Sequence, residues 1–318
     1  MSPVAGRRVL ITGGRGFLGG HLVDRFRRAG CEVIAPSRTE FNLIDGLAVE
    51  ALFTQCRPEV VIHAAAAVGG IGANRSNPGR FFYENAMMGL QVVEAARRHN
   101  VAKIVVLGTI CSYPRIIAVP FQEDDLWNGY PEPVTAPYGI AKKAILVQCQ
   151  TYREQYGLDA IFLMPVNLYG PGDHFDLENS HVIPAMIRKF VEAKENGADR
   201  VVLWGDGSAT REFLYVEDAA EGILLATERY SKPEPVNLGT GIETSIRETA
   251  AMIGELVGFQ GRTVWDTTKP NGQPRRCLDV TRAAREFGFR AKTRLREGLE
   301  RTLQWYFPQR SLPATTAG

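Results

Sequence analysis

Cysteine is scarce in this sequence, and its distribution excludes two common kinds of site. The five cysteines, at positions 31, 56, 111, 149 and 277, are odd in number and form no C-x-x-C pair. A disulfide framework or a structural zinc site would need paired, closely spaced cysteines. The sequence therefore predicts neither, and we expect no metal.

Long hydrophobic runs and an excess of charge of one sign are also missing. No stretch of about eighteen apolar residues occurs, so we expect no membrane span, and Met1–Arg8 leads into a strand pattern without the apolar segment of a signal peptide. The formal net charge is +2, with Lys and Arg scattered, which argues against nucleic acid or a membrane as partner. We expect a globular, cytoplasmic protein.

What is present up to residue 165 is an alternation of short apolar runs and helical patterns. We predict strands at Arg8–Thr12, Cys31–Ala35, Glu59–His63, Lys103–Leu107 and Ala160–Met164. Between them, helices are predicted up to Arg28, near Leu47–Cys56, near Gly89–His99, and from the Tyr138 region to Tyr156. Continuous apolar strands alternating with helices are typical of a parallel sheet covered on both faces. The sequence predicts an α/β fold with a Rossmann-type doubly wound parallel sheet.

The pattern loosens after residue 165, which indicates a smaller α/β lobe. We expect helices near Pro184–Glu195 and Ser245–Val257, and short strands at Val201–Trp204, Val236–Leu238 and Thr263–Trp265. The predicted division is a nucleotide-binding domain at 1–165, to which about 212–240 return, and a substrate lobe at 166–308. We predict a disordered tail at 309–318, because it is rich in Pro, Thr, Ala and Ser.

A glycine-rich loop follows the first strand. Gly13, Gly16 and Gly19 form G-x-x-G-x-x-G at the start of a helix, where glycines allow close approach to a pyrophosphate that the helix N-terminus stabilises. The second predicted strand ends in Arg38 instead of an acidic residue, and Arg15 lies inside the loop. Two arginines suit a 2′-phosphate, so the sequence favours NADPH over NADH.

A second motif carries the chemistry. Tyr138 and Lys142 are four residues apart and share a helix face. An ammonium beside a phenol favours the phenolate, so we expect Lys142 to lower the pKa of Tyr138. Thr109 offers a second donor. Cys111, two residues beyond Thr109, is a soft base that plain oxidoreduction would not need. The pKa of a thiol needs only a small change for the thiol to ionise near neutral pH.

Longer segments resemble the GDP-L-fucose synthase family of the extended short-chain dehydrogenases/reductases, over Val9 to about Phe307. They read A-A-A-A-V-G-G-I-G-A-N at Ala64–Asn74, G-T-I-C-S-Y-P at Gly108–Pro114, M-P-V-N-L-Y-G-P at Met164–Pro171, S-H-V-I-P-A at Ser180–Ala185 and R-E-F-L-Y-V-E-D at Arg211–Asp218. Members catalyse 3,5-epimerisation and NADPH-dependent 4-reduction of GDP-4-keto-6-deoxy-D-mannose. They are generally homodimers, which implies association through Gly89–His99 and Tyr138–Tyr156.

The resemblance also implies residue roles. The implied catalytic residues are Thr109, Tyr138 and Lys142 for reduction, and Cys111 with His181, as imidazolium, for proton transfer on opposite faces of the sugar. The implied NADP(H)-binding residues are Gly13, Gly14, Arg15, Gly16, Phe17, Leu18, Gly19, Arg38, Asn42, Leu43, Ala64, Ala65, Ala66, Leu107, Gly108, Thr109, Tyr138, Lys142, Pro165, Asn167, Leu168 and His181. The implied substrate-binding residues are Asn167, Val182, Lys189, Trp204, Arg211 and Arg276.

Several positions depart from the family pattern. Lys189 and Arg276 exchange the usual arginine and lysine, which are not equivalent in geometry. Further departures are Ala67, Ile110, Ser112, Val166 and Asn271. These substitutions leave open a related 4-keto sugar, such as a heptose, or another nucleotide. A GDP-mannose 3,5-epimerase, with no net redox change, is disfavoured by His181 and Arg38, and a non-catalytic NADP sensor would not need Tyr138 and Lys142.

Overall fold

The computed structural model describes residues 3–176, 180–269 and 271–310. The strands are β1 (Arg8–Thr12), β2 (Glu32–Ile34), β3 (Val60–His63), β4 (Lys103–Leu107), β5 (Ala160–Pro165), β6 (Asn167–Tyr169), β7 (Arg200–Trp204), β8 (Thr210–Tyr215), β9 (Val236–Leu238), β10 (Glu243–Ser245) and β11 (Arg262–Asp266). The α-helices are α1 (Phe17–Arg28), α2 (Gly46–Cys56), α3 (Ile71–Ser76), α4 (Pro78–Arg98), α5 (Ala136–Tyr156), α6 (Val182–Glu195), α7 (Val216–Arg229), α8 (Ile246–Val257), α9 (Thr281–Phe287) and α10 (Leu295–Arg310).

The main sheet is parallel throughout, in the order β2-β1-β3-β4-β5-β9. Its central strands are apolar on both faces because helices cover both, and Val9, Leu10 and Ile11 are fully buried. The prediction of a doubly wound parallel sheet is confirmed. The strand order reverses between β1 and β3, and the carboxyl ends of strands at such a reversal form the ligand crevice of this architecture.

Two long helices lie side by side on one face of this sheet. A side chain at Gly89 of α4 would collide with Ile145 of α5, so glycine allows their close approach. Helix α4 is longer than predicted and begins at Pro78, a residue well suited to a first helical position. Helix α5 ends at Gly157 in the left-handed conformation. This packing fixes the helix that carries Tyr138 and Lys142.

The second part of the chain builds a smaller layer around its own apolar core. It contains the sheets β10-β8-β6 and β11-β7, with α6, α8 and α10 packed against them through side chains such as Ile187 and Ile253. Helix α7 and strand β9 pack onto the main sheet instead. Helix α10 continues through Pro308 to Arg310, so the described start of the predicted disordered tail is helical. Residues 311–318 lie outside the described residues.

None of the helices within the described ranges combines the length and apolar character needed to cross a membrane.

Candidate active site

The glycine loop lies against the end of β3. Gly13 has φ +72°, which favours glycine, and a Cβ there would lie 2.7 Å from Cα of Ala65. A Cβ at Gly19 would collide with the carbonyl of Gly13. Gly16 precedes α1 and has no side chain to cap it, so the first N–H groups of α1 are left to water or to an anion. Any side chain at Gly13 or Gly19 would therefore collide with backbone and disrupt this tight turn.

Arg15 and Arg38 flank one turn at the end of β2. The Nη2 of Arg15 donates to Oε2 of Glu40 at 3.0 Å, and the same oxygen accepts the backbone N–H of Ser37 at 2.6 Å. Arg38 is largely exposed, with its Nη2 3.6 Å from Oε1 of Glu84. The two predicted 2′-phosphate ligands therefore lie beside the same loop.

The other residues predicted to bind the cofactor follow the carboxyl ends of consecutive strands. Asn42 and Leu43 follow β2, and the Leu43 carbonyl accepts a hydrogen bond from Gln91 of α4 at 3.0 Å. Further along the crevice are Ala64–Ala66 after β3, Leu107 and Gly108 at the end of β4, and Pro165, Asn167 and Leu168 around the end of β5. The fold thus brings all of these segments to one edge of the main sheet.

A buried asparagine that the sequence did not single out supports this edge. Asn85 of α4 donates to the carbonyl of Ala67 at 2.8 Å and accepts from its N–H at 3.0 Å. This reciprocal pair holds the segment after β3 against α4. A polar residue at a core position of a helix is the signal that could have indicated this role.

Cys111 lies in a turn held by Thr109. The hydroxyl oxygen of Thr109 accepts the backbone N–H of Cys111 at 3.1 Å, and Nη2 of Arg276 lies 3.5 Å from Sγ of Cys111. Burial alone would raise the pKa of this thiol, but the charge and hydrogen bond of Arg276, with hydrogen bonds from Thr109 and Thr135, lower the pKa below its ordinary value.

Tyr138 and Lys142 occupy one face of α5, with Lys142 Nζ 6.0 Å from the centre of the Tyr138 ring. The prediction that Lys142 lowers the pKa of Tyr138 is wrong. Burial raises the pKa of the phenol, and the neighbouring Cys111 adds to the rise, although a hydrogen bond from Thr109 opposes it. Burial also lowers the pKa of Lys142 to about 8, because a charged ammonium is costly there. Tyr138 is therefore a protonated phenol at neutral pH.

Two arginines from distant segments meet beside Cys111. Burial, then repulsion from Arg276, lowers the pKa of Arg211 to about 10, and Cys111 opposes the fall. Arg211 is positioned by Nη1 donating to the carbonyls of Thr210 and Gln273, each at 2.6 Å. The buried Nε of Arg276 finds no hydrogen-bond partner among the described residues. Two adjacent guanidinium groups, one with an unused donor, form a site for an anion.

A buried glutamate anchors the segments that carry these arginines. Glu212 is fully buried, and its carboxylate accepts the backbone N–H groups of Thr240 at 2.5 Å, Gly241 at 2.8 Å and Leu278 at 2.7 Å. Its own carbonyl accepts Nδ2 of Asn167 at 3.0 Å. Sequence reasoning missed Glu212, because no local pattern indicates a buried carboxylate inside a strand.

His181 lies at the N-terminal boundary of α6. The residue keeps exposed surface, although protein atoms crowd the imidazole ring. Burial, with His174 nearby, lowers the pKa of the imidazole, so the expected imidazolium is not the form favoured at neutral pH in this structure. Within the described residues, no hydrogen bond joins His181 to Cys111.

The remaining predicted substrate residues lie on α6 and β7. Val182 begins α6, and Nζ of Lys189 donates to the carbonyl of Val202 at 3.1 Å. Trp204 ends β7 with 61% of its surface exposed, and Nζ of Lys269 lies 5.9 Å from the ring centre. An exposed indole held at a strand end is a platform on which a flat ring can stack. Within the described ranges, no group of acidic, histidine and cysteine side chains is arranged to hold a metal ion.

Comparison with known proteins identifies the family. The model of the NAD dependent epimerase/dehydratase family matches residues 9–239. GDP-L-fucose synthase 1 of Arabidopsis thaliana is 43% identical over 94% of this chain and 93% of its own length. A GDP-6-OMe-4-keto-L-xylo-heptose reductase from Campylobacter jejuni superposes with a TM-score of 0.89 at 30% identity, over 97% of this chain and 100% of that one. A GDP-L-fucose synthetase from Naegleria fowleri bound to NADP has a TM-score of 0.90 at 28% identity, covering 98% and 95%. Together with the fold and the placement of Thr109, Cys111 and Tyr138, these matches show that the chain belongs to the GDP-L-fucose synthase family.

Proposed function

We propose that this protein catalyses 3,5-epimerisation and NADPH-dependent 4-reduction of a nucleotide-linked 4-keto-6-deoxy sugar, GDP-4-keto-6-deoxy-D-mannose being converted to GDP-L-fucose. One observation carries the proposal. A thiol with a lowered pKa, Cys111, and a protonated phenol, Tyr138, surround the same hydroxyl, that of Thr109. Epimerisation needs a base and reduction needs an acid, and one pocket holds both.

The glycine loop fits the cofactor. The tight turn that Gly13 and Gly19 allow, at the uncapped N-terminus of α1, suits a pyrophosphate. Arg15 and Arg38 suit a 2′-phosphate. The other cofactor contacts of this proposal are the segments at the strand ends, with Lys142 and His181. When bound, NADPH supplies the hydride for carbon 4 of the sugar.

The thiolate of Cys111 begins the reaction as a base. The protons on carbons 3 and 5 are acidic because each leaves an enolate on the carbonyl oxygen. Cys111 takes the proton, becoming a thiol, and the electron pair moves to the carbonyl oxygen. Donors at Thr109 and Tyr138 stabilise the charge that develops there. Tyr138 later gives its proton to the alkoxide at carbon 4, for which the protonated phenol is the required form.

His181 returns a proton on the opposite face of the sugar. Its pKa is lowered by burial, so it needs a nearby negative charge to become an effective acid. A diphosphate brings such a charge into the cleft, and an opposite charge close to an imidazolium raises its pKa. In this proposal the substrate itself prepares His181 as the acid.

We assign the substrate-binding residues from the charge and shape of their side chains. Arg211 and Arg276 hold the diphosphate, Trp204 stacks on the nucleobase, and Asn167, Val182 and Lys189 complete the cleft. A second candidate is the same chemistry on a 4-keto heptose. The Campylobacter jejuni reductase supports it, being 30% identical with a TM-score of 0.89, as does the exchange of arginine and lysine at 189 and 276.

One experiment tests the proposal. The purified protein is incubated with NADPH and GDP-4-keto-6-deoxy-D-mannose in D₂O, and the product is identified by NMR. We expect GDP-L-fucose with deuterium at carbons 3 and 5. A product without inversion would refute the epimerase part, and turnover of the heptose alone would select the second candidate. Cys111→Ser should slow deuterium entry by about a hundredfold or more, whereas wild-type exchange in this variant would exclude Cys111 as the base.

We also infer a cytoplasmic homodimer that associates through α4 and α5. Tyr83 of α4 and Val147 of α5 are exposed apolar side chains on these helices, which supports burial against a second copy. Light scattering should give twice the mass of the chain. A monomer at micromolar concentration would refute this arrangement.

A further inference from the structure

The contact between Arg276 and Cys111 joins two segments 165 residues apart in the sequence. It is not an isolated surface contact, because the segment that carries Arg276 is fixed on both sides. Before Arg276, the carbonyl of Pro274 accepts the N–H of Thr210 at 2.8 Å. After it, Leu278 donates its N–H to Glu212 at 2.7 Å. The backbone therefore holds the guanidinium at the thiol.

Among the groups around Cys111, Arg276 has the largest electrostatic effect on the thiol. Arg211 on β8 is a second cation, and Tyr138 on α5 is neutral. Thr109 and Thr135 contribute hydroxyl donors. Glu132, which precedes α5, has its carboxylate 3.2 Å from Nε of Arg115. A thiolate in this setting is stabilised by cations and hydroxyl donors.

An arginine at position 276 can contact two partners at once. The guanidinium offers five N–H donors in a rigid plane, whereas an ammonium is a point charge. One edge of Arg276 faces the sulfur of Cys111 through Nη2, and the buried Nε has no partner among the described residues. Arg276 can therefore hold the sulfur and still donate to a substrate oxygen.

We propose that Arg276 is the counter-ion that keeps Cys111 as a thiolate, in addition to binding the anionic substrate. This inference rests on the proposed function only in taking Cys111 as the base. While Cys111 carries the charge, Arg276 stabilises it. Once the thiolate has accepted the carbon-bound proton, the charge lies on the enolate oxygen and Arg276 is free to act on the diphosphate alone. The residue that binds the substrate thus also sets the fraction of enzyme with an active base.

The test measures the thiol directly. The rate of alkylation of Cys111 by iodoacetamide is followed against pH by peptide mass spectrometry, on the full chain without substrate. Removal of an adjacent opposite charge shifts a pKa by about one unit or more, so Arg276→Met should lower the rate at pH 7 about tenfold. Arg276→Lys keeps the charge and should lower the rate less. Circular dichroism and NADPH binding establish that each variant is folded.

Arg275→Met is the matched control. Arg275 adjoins Arg276 and carries the same charge, but it pairs with Glu243, its Nε donating at 3.1 Å. The alkylation rate of Cys111 in Arg275→Met should stay within about twofold of wild type, since its charge is not in contact with the sulfur. An unchanged rate in Arg276→Met would overturn the proposal, as would a fall in Arg275→Met as large as that in Arg276→Met. A loss in Arg276→Lys as large as in Arg276→Met would also overturn the role of charge.

A kinetic measurement separates this inference from the proposed function. The acid limb of solvent-deuterium exchange into the GDP sugar should move to higher pH in Arg276→Met and less in Arg276→Lys, and an unmoved limb in Arg276→Met would contradict the inference. If the alkylation rate depends on Arg276, by comparison with its variants, but the wild-type protein does not convert the sugar, the proposed function is refuted and the counter-ion role stands. If the protein converts the sugar but the alkylation rate of Cys111 does not depend on Arg276, the proposed function stands and the counter-ion role is refuted.

Discussion

The carboxylate of Glu212 accepts the backbone N–H of Leu278 at 2.7 Å, and this contact joins the strand of Arg211 to the segment of Arg276. The same carboxylate accepts the N–H groups of Thr240 and Gly241. Burial raises the pKa of Glu212, against the effect of these hydrogen bonds. The alignment of the two arginines therefore depends on a residue that need not touch the substrate.

Glu212→Gln should destabilise the protein and disturb the anion site. The amide places two hydrogen-bond donors where the structure needs acceptors, leaving buried groups unpaired, so we expect a loss of about 2 kcal/mol in the free energy of unfolding. Urea unfolding measures it. Glu217→Gln, at an exposed position of α7, is the matched control and should change little. Equal stability of the two variants would contradict the anchoring role.

Tyr138→Phe tests the protonated phenol. Removal of the hydroxyl takes away the acid for the alkoxide and one donor to the carbonyl oxygen, so NADPH oxidation should fall by about a hundredfold or more. NADPH binding, followed by fluorescence, should be retained because the fold of α5 does not need the hydroxyl. Normal reduction in this variant would remove Tyr138 from the mechanism.

The main sheet was predictable, because β1, β3, β4 and β5 are apolar on both faces and therefore form continuous runs. Strand β8 was not, since Arg211 and Glu212 interrupt its apolar pattern, and their burial depends on partners far along the chain. The start of α4 was missed although Pro78 is a helix-start signal. Helix α10 was not predicted, and its last two described residues fall in the segment expected to be a disordered tail.

The candidate site was predictable in its members but not in its electrostatics. Cys111 and Arg276 were both singled out, yet their contact joins segments 165 residues apart that no local pattern relates. The wrong expectation for Tyr138 has a physical cause. A spacing of four residues indicates a shared helix face, but it does not show that both groups are buried. Burial raises the pKa of the phenol and lowers that of Lys142.

Arg38→Ala tests the choice of cofactor. Loss of a charged hydrogen bond to the 2′-phosphate should raise KM for NADPH about tenfold or more, while KM for NADH stays nearly constant. Arg80→Ala is the control, because Arg80 of α4 also pairs with Glu84, its Nε donating at 2.9 Å. Steady-state kinetics with both cofactors distinguish them. An equal effect of the two variants would assign the change to Glu84 and not to the phosphate.

The burial of His63 should make the stability of the protein depend on pH. It is fully buried at the end of β3, with Nδ1 2.8 Å from Oγ1 of Thr12, and burial, with Lys142 nearby, lowers its pKa well below the ordinary 6.5. Below pH 6.5 the unfolded chain therefore binds a proton that the folded protein excludes. Neutral His63 therefore contributes fully to the free energy of unfolding above pH 6.5. Its contribution declines as the pH falls below that value, by up to about 1.4 kcal/mol per pH unit.

His63→Gln should remove this part of the acid sensitivity, because glutamine does not titrate and can still hydrogen-bond to Thr12. The measurement is urea unfolding at pH 7.5 and 5.5 for wild type and His63→Gln. The loss of stability between the two pH values should be smaller by about 1 kcal/mol in His63→Gln. If wild type and His63→Gln lost the same stability, the folded protein would have to accommodate a charged His63, and the crevice beside the glycine loop would be more polar than its packing indicates.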